Sequence, residues 1–316
     1  MIDAIARCSA GLDVHKATVV CTIVAEGEDG KTKKSTREYL TFRKDLQKLA
    51  KWLTESDVEL AVMESTGIYW RTVYDVLEEN DLKVYVVNAR HVKNVPGRKT
   101  DVLDSEWLAD LARCGLLRAS FIPPKDLRQL RLLTRYRQKL SGYLSGEKNR
   151  VNKVLEDCGI KLGCVVSDIN GVSAQRMINA LIEGTLKPED MAKLAVKQLR
   201  KKEGELKLSL EGDISDRHRF LLKRIMGHIK WLERQIEEID SQVVYSMKPY
   251  IREWELLQTL PGVDEISAAM LLTETGTDMG RFGSKERFSS WAGMCPGNNE
   301  SAGKKRVVAP QRGTSM

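Results

Sequence analysis

Long apolar runs are missing from this 316-residue sequence. No stretch approaches the roughly 20 apolar residues that a membrane-spanning helix requires, so no membrane association is expected. The start, MIDAIARCSAGLDVHK, lacks a basic segment followed by an apolar core, so a secretory leader is not expected either. The expected compartment is the cytoplasm. Histidine is scarce, with four in the chain (His15, His91, His218 and His228), and they are scattered. The six cysteines (Cys8, Cys21, Cys114, Cys158, Cys164 and Cys295) include no C-x-x-C pair. Together these absences argue against a zinc site and favour buried, reduced thiols.

What is present is an ordinary globular balance, 42% hydrophobic and 30% charged. The length suits more than one domain. The formal net charge is +7 and the pI about 9.0. A basic surplus favours a polyanionic partner, because Lys and Arg release counterions from phosphates.

The order of elements reads as α/β first and helical afterwards. Residues 10–25, AGLDVHKATVVCTIVA, read as a strand; EGEDGK at 26–31 reads as a turn, and REYLTF at 37–42 as a returning antiparallel strand. Helical spacing over 45–56, a short apolar strand at 59–64, helix over 68–80, strand over 83–89 and helix over 101–115 complete a mixed-sheet α/β layer. Pro123-Pro124 closes it. An arginine-rich helix follows over 128–150, then a less regular stretch at 160–190. Leu222, Ile225, Ile229, Leu232, Ile236, Ile239 and Val243 next alternate steps of three and four, a heptad seam. The seam is read as a coiled coil, within the chain or between chains, with a helix packed in its own domain as the plainer alternative. LLQTLPGVDEISAAMLLTETG reads as helix, Pro-Gly turn, helix. This is a helix–hairpin–helix whose amides can hold a phosphate, or a plain αα-hairpin. FSSWAGMCPGNNESAGKKR, small and polar, reads as a loop. The expected division is 1–125, 126–250 and 251–316.

Four carboxylates carry the chemistry. Asp13 lies between Leu12 and Val14 in an apolar strand, where a lone buried carboxylate is costly unless a cation compensates it; otherwise it is an Asp on the solvent face of an edge strand. Glu64 ends the run LAVM, at the end of the strand where open α/β sheets bind ligands. Asp101 and Asp104 share one helix face at i, i+3, although acids at a helix start also serve as caps. Arg98 and Lys99 just precede them, in a stretch able to approach phosphates. Oxygen ligands of this kind suit Mg²⁺ or Mn²⁺ in phosphodiester chemistry.

GLDVHK, VMESTGIYW and the run NARHVKNVPGRKTDVLDSEWLADL resemble the N-terminal region of DEDD-type transposases of the insertion-sequence "one-ten" family, which includes the Piv and MooV DNA invertases. LPGVDEISAAMLLTETG and FSSWAGMCPGNNESAGKKR resemble that family's C-terminal domain. The resemblance implies a RuvC-like, ribonuclease-H-like N-terminal fold, a helical coiled-coil middle and a mainly α C-terminal domain. It implies Asp13, Glu64, Asp101 and Asp104 as metal ligands. It also implies Ser301 as a nucleophile that forms a phosphoserine with DNA, with Lys304, Lys305 and Arg306 beside it to neutralise the phosphate. Read alone, Ser301 is an ordinary loop serine. The resemblance further implies a guiding bridge RNA, with which the 87–100 loop and the 128–150 helix are compatible. Dimers pairing into tetramers, with the heptad seam as a contact, and a place at the bacterial nucleoid are implied as well. Family sequences continue past the serine loop, whereas this chain stops at Met316. That reads as a truncation or frameshift. It sets two alternatives beside the guided transposase: a RuvC-like endonuclease using water, and an inactive nucleic-acid-binding remnant.

Overall fold

The computed structural model describes residues 5–27, 31–65, 67–89, 92, 103–294, 300, 301, 304 and 305, the last four by their backbone. The chain forms two compact units, Met1–Lys125 with Gly280–Met316, and Asp126–Met279. The 250/251 boundary read from sequence falls inside the second of these.

The first unit is built on β1 (Cys8–Val14), β2 (Thr18–Glu26), β3 (Thr32–Leu40), β4 (Leu60–Glu64) and β5 (Val84–Val87). They form one sheet in the order β3-β2-β1-β4-β5. β1 and β2 are antiparallel, as are β2 and β3, whereas β1, β4 and β5 run parallel. Only β2 opposes the rest, which is the ribonuclease-H-like arrangement. The stretch expected to be one strand over 10–25 is a hairpin. His15 N–H donates to Thr18 O (2.9 Å) and turns the chain. The turn holds no Gly, Pro or Asn, and Leu12, Val14, Val19 and Cys21 bury on one face across it, so the apolar pattern runs through unbroken.

Helices α1 (Arg43–Glu55) and α2 (Trp70–Glu79) cover one face of the sheet. Their Leu46, Leu49, Leu53, Val73 and Leu77 pack on Ala10, Leu12, Ala61 and Met63. Helix α3 (Asp104–Arg113) covers the other face, packing Leu108 and Leu111 on Leu60, Val62 and Val87. β3 is exposed along nearly its whole length and reads TKKSTREYL. Its lysines blunt an edge that would otherwise recruit further strands.

The second unit is all helical. Its frame is α4 (Lys125–Asp157) and, after α5 (Leu162–Val165), α6 (Val172–Glu183), α7 (Pro188–Ala192) and α8 (Glu203–Ser209), the long α9 (Asp216–Ser246). Arg137 pairs Asp240, Glu147 pairs His228, Lys148 pairs Glu233 and Asp157 pairs His218. From Arg137–Asp240 at one end to Asp157–His218 at the other, rising numbers on α4 meet falling numbers on α9, and the two helices are antiparallel. Most of the heptad seam is buried within this unit: Leu222, Ile225 and Ile229 join one core and Val243 another, whereas Ile236 and Ile239 are half-buried. Helices α10 (Ile251–Gln258) and α11 (Glu265–Thr275) form the expected helix–turn–helix, with Gly262 at φ +83° in its turn. Among the described residues no helix is long and apolar enough to cross a membrane.

In the first unit, α12 (Lys285–Trp291) covers part of the stretch read as loop. Ser284 Oγ caps it by accepting from Arg287 N–H (3.3 Å). Phe288 and Trp291 gather on Phe282, which also meets Phe121. β6 (Glu300–Ser301) and β7 (Lys304–Lys305) then pair as a short antiparallel hairpin.

Candidate active site

Strand side chains alternate between faces. In β1, Cys8, Ala10, Leu12 and Val14 belong to the core under α1 and α2. Ser9, Gly11 and Asp13 therefore face α3. In β4 the α1–α2 core takes Ala61 and Met63, while Leu60 and Val62 belong to the α3 core, so Glu64 faces α3 as well. The parallel register pairs Gly11 with Val62 and Leu12 with Met63. Asp13 and Glu64 are the next pair in step, one on each strand, at the C-terminal edge of the sheet.

Helix α3 brings the third carboxylate to that edge. A Cβ on Gly11 would lie 2.0 Å from Ser105 O and 2.5 Å from Ala109 N, so the helix rests directly on the β1 backbone. Buried hydroxyls fix the seat. Ser9 Oγ donates to Ala109 O (2.9 Å) and Thr22 Oγ1 meets Ser105 Oγ at 2.8 Å. Asp104 is the residue before Ser105 and the first of the helix. The N-cap position belongs to Leu103, which makes no side-chain cap. Asp104 is exposed, in the first turn where the helix dipole favours a carboxylate. The next acids of α3 serve the fold, since Glu106 and Asp110 hold Lys34 Nζ at 2.7 and 3.1 Å. Burial opposes the Lys34 charge, but those two carboxylates outweigh it and push the ammonium pKa up.

The side chain of Asp13 is 32% exposed, and His15 Nε2 lies 3.0 Å from its Oδ2. The sequence signal for His15 is its spacing alone, two residues beyond Asp13. Among the described residues, no group of three or more His, Cys, Asp or Glu is close enough to hold a metal ion. Asp101, Arg98, Lys99 and Arg306 lie outside the described residues. The acids that share the edge offer carboxylate oxygens, with His15 beside Asp13, and oxygen donors fit Mg²⁺ or Mn²⁺ rather than a softer ion. The thiols are not part of it. Cys8, Cys21 and Cys158 are buried, and burial pushes all three pKa values up. Ser301 is placed by its backbone in β6, register partner of Lys304, with Glu300 opposite Lys305.

Residues 10–160 match the DEDD transposase family model of the IS110 group, and residues 254–316 match the transposase family IS116/IS110/IS902. No curated protein matches the chain. Among solved structures, Thermus thermophilus RuvC is similar at 14% identity and a TM-score of 0.28, over 36% of this chain and 99% of RuvC. The same values hold for T. thermophilus RuvC in complex with Holliday junction substrate. An Aquifex aeolicus member of the Ppx/GppA family is similar at 13% identity and a TM-score of 0.22, over 73% of this chain and 90% of that one. Two transposase models of one group, matched at both ends and together spanning more than half of the residues, identify the chain as a member of the IS110 family of DEDD transposases, enzymes of DNA recombination.

Proposed function

We propose that the chain cuts and rejoins DNA with two sets of residues, the carboxylates of the sheet edge and the serine of the C-terminal hairpin. The observation that carries the acidic half is the placement of Asp13, Glu64 and Asp104 on one face at one edge of the sheet. Asp13, Glu64, Asp101 and Asp104 would hold Mg²⁺ or Mn²⁺. Such ions, when bound, neutralise phosphate charge and favour an attacking oxygen over its protonated form. Cations held there would offset the repulsion of these carboxylates for one another and for the DNA backbone.

Ser301 is the proposed nucleophile. Its Oγ gives up a proton and forms a bond to a DNA phosphorus. One P–O bond to a flanking sugar breaks, and the leaving sugar oxygen takes up a proton to become a hydroxyl. Attack by a DNA hydroxyl on the phosphoserine reverses the step and rejoins a strand. A serine hydroxyl is a weak nucleophile until activated, so the acidic set and the serine act as one machine. Lys304, Lys305 and Arg306, with Arg98 and Lys99, are proposed to neutralise phosphates. A guide RNA selects the DNA partners, and copies of the chain assemble as dimers and tetramers on the bacterial nucleoid.

Two substitutions test this on element-end DNA supplied with divalent cation and with RNA from the native locus. Asp13→Asn is expected to abolish strand cleavage, and unchanged cleavage removes the acidic assignment. Ser301→Ala is expected to abolish the covalent protein–DNA adduct seen on denaturing gels, and an adduct that persists takes Ser301 out of the mechanism. RNA co-purifying from the native locus should be a single structured transcript from the gene's own flank; random cellular RNA would dismiss the guide.

A further inference from the structure

The outward face of α9, opposite its buried seam, is not what a solvated helix usually shows. Phe220 is 61% exposed and Trp231 is 43% exposed. They stand eleven residues apart, three helical turns, and so share one side of the helix about 16 Å from each other. Each ring is backed by a cationic or titratable neighbour. The Arg224 guanidinium lies 5.0 Å over the Phe220 ring. The His228 ring stacks on Trp231 at 5.8 Å and 23°, itself anchored to Glu147 of α4 (3.2 Å).

Beside Phe220 the surface opens into a cavity of about 630 Å³ between α6 and α9, lined in part by Arg219, Lys223, Lys230 and one acid, Glu183. Its wall is fixed. Arg219 donates to Leu181 O at the end of α6, and Gly184 turns the chain there at φ +70°, where a Cβ would strike the guanidinium at 2.7 Å. Arg217, Lys223, Arg224, Lys230 and Arg234 are all exposed. Of the nearby acids, Glu233 is drawn to Lys148 (3.4 Å).

We propose that this face binds an unpaired stretch of RNA, bases stacking on Phe220 and Trp231 and phosphates following the lysines and arginines between them. Exposed rings alternating with cations are what a single strand needs, since every base has a stackable face and every phosphate a charge. A duplex offers no open base faces for the two rings to stack on. A second copy of this face is disfavoured, because it would bring two basic surfaces together. The choice of RNA rests on the guided reading above, in which RNA is the partner that supplies unpaired strands.

The test uses the full chain and a short mixed-sequence single-stranded RNA, with single-stranded and duplex DNA of matching sequence beside it. Phe220→Ala and Trp231→Ala should each weaken RNA binding by roughly ten-fold while duplex DNA binding stays unchanged. Lys230→Gln should lower the salt slope of RNA binding by about one. Both aromatics are surface residues, and circular dichroism should confirm an unchanged fold. Wild-type protein that binds RNA with no loss in these variants overturns this site and leaves the guided reading standing. Wild-type protein that binds no single-stranded RNA overturns this site, whereas the guided reading falls only if no structured transcript co-purifies from the native locus. Tighter binding of single-stranded DNA removes the assignment to RNA. Variants that lose a dimer but keep RNA binding assign the face to a second copy instead.

Discussion

Glycine marks two opposite situations in this chain. At Gly11 a methyl group would meet the α3 backbone at 2.0 and 2.5 Å. Neither contact is the end of a flexible side chain, so the helix must lift. Gly11→Ala is expected to destabilise the sheet unit by on the order of 3 kcal/mol and to lower cleavage, because α3 carries Asp104 to the edge. At Gly142, on the exposed side of α4, a Cβ meets nothing within 4 Å. Gly142→Ala should stabilise the helical unit by roughly 0.5–1 kcal/mol through chain entropy. Urea unfolding checks both, and a neutral Gly11→Ala would contradict the close seating of α3 on β1. Residue type in sequence made Asp13 and Glu64 conspicuous, because carboxylates interrupt apolar strands. It could not show that Gly11 makes room for the helix, since that requirement comes from a segment about a hundred residues away.

Elements were legible where periodicity is local and illegible where partners are remote. The seam of α9 was plain from steps of three and four, but periodicity is silent about what covers it. The answer, α4 in antiparallel orientation, rests on pairs such as Arg137–Asp240, 103 residues apart. The same holds for the arginines of α4, which in sequence look like phosphate contacts. Arg135 is bidentate to Glu274 (2.8 and 3.0 Å). Arg131 donates to Thr273 O and Glu274 O (3.0 and 3.1 Å), closing the carbonyl end of α11. Arg131 is mostly buried, so Arg131→Ala should cost about 2 kcal/mol through carbonyls left without a charged donor. Arg135 is more exposed, and its loss should cost about 1 kcal/mol. Both variants should leave the salt dependence of duplex DNA binding unchanged. A slope that falls by about one per arginine would place these guanidiniums on phosphate rather than on α11. The turn at His15 was missed for a different reason: apolar alternation carries across it, and no turn-forming residue breaks the pattern.

At the scale of the molecule, each unit has its own core. The sheet unit packs α1 and α2 on one face and α3 on the other, and the helical unit packs around α4, α6 and α9. The carboxylates belong to the first unit alone. A cation that binds the folded edge and not the unfolded chain stabilises by mass action, about 2.7 kcal/mol at a hundred-fold excess over its Kd. Mn²⁺ should therefore raise amide protection in β1, β4 and α3, measured by hydrogen exchange, and leave α9 amides as they were. Asp13→Asn should cancel the gain, because Asn conserves shape and removes the charge that would draw the ion. Protection that rises equally in both units would mean that the ion acts on the chain as a whole. Protection unchanged in β1 and β4 would mean that the sheet edge does not hold it. Either result separates a resident metal site from general screening of a basic protein, and it does so without asking the enzyme to turn over.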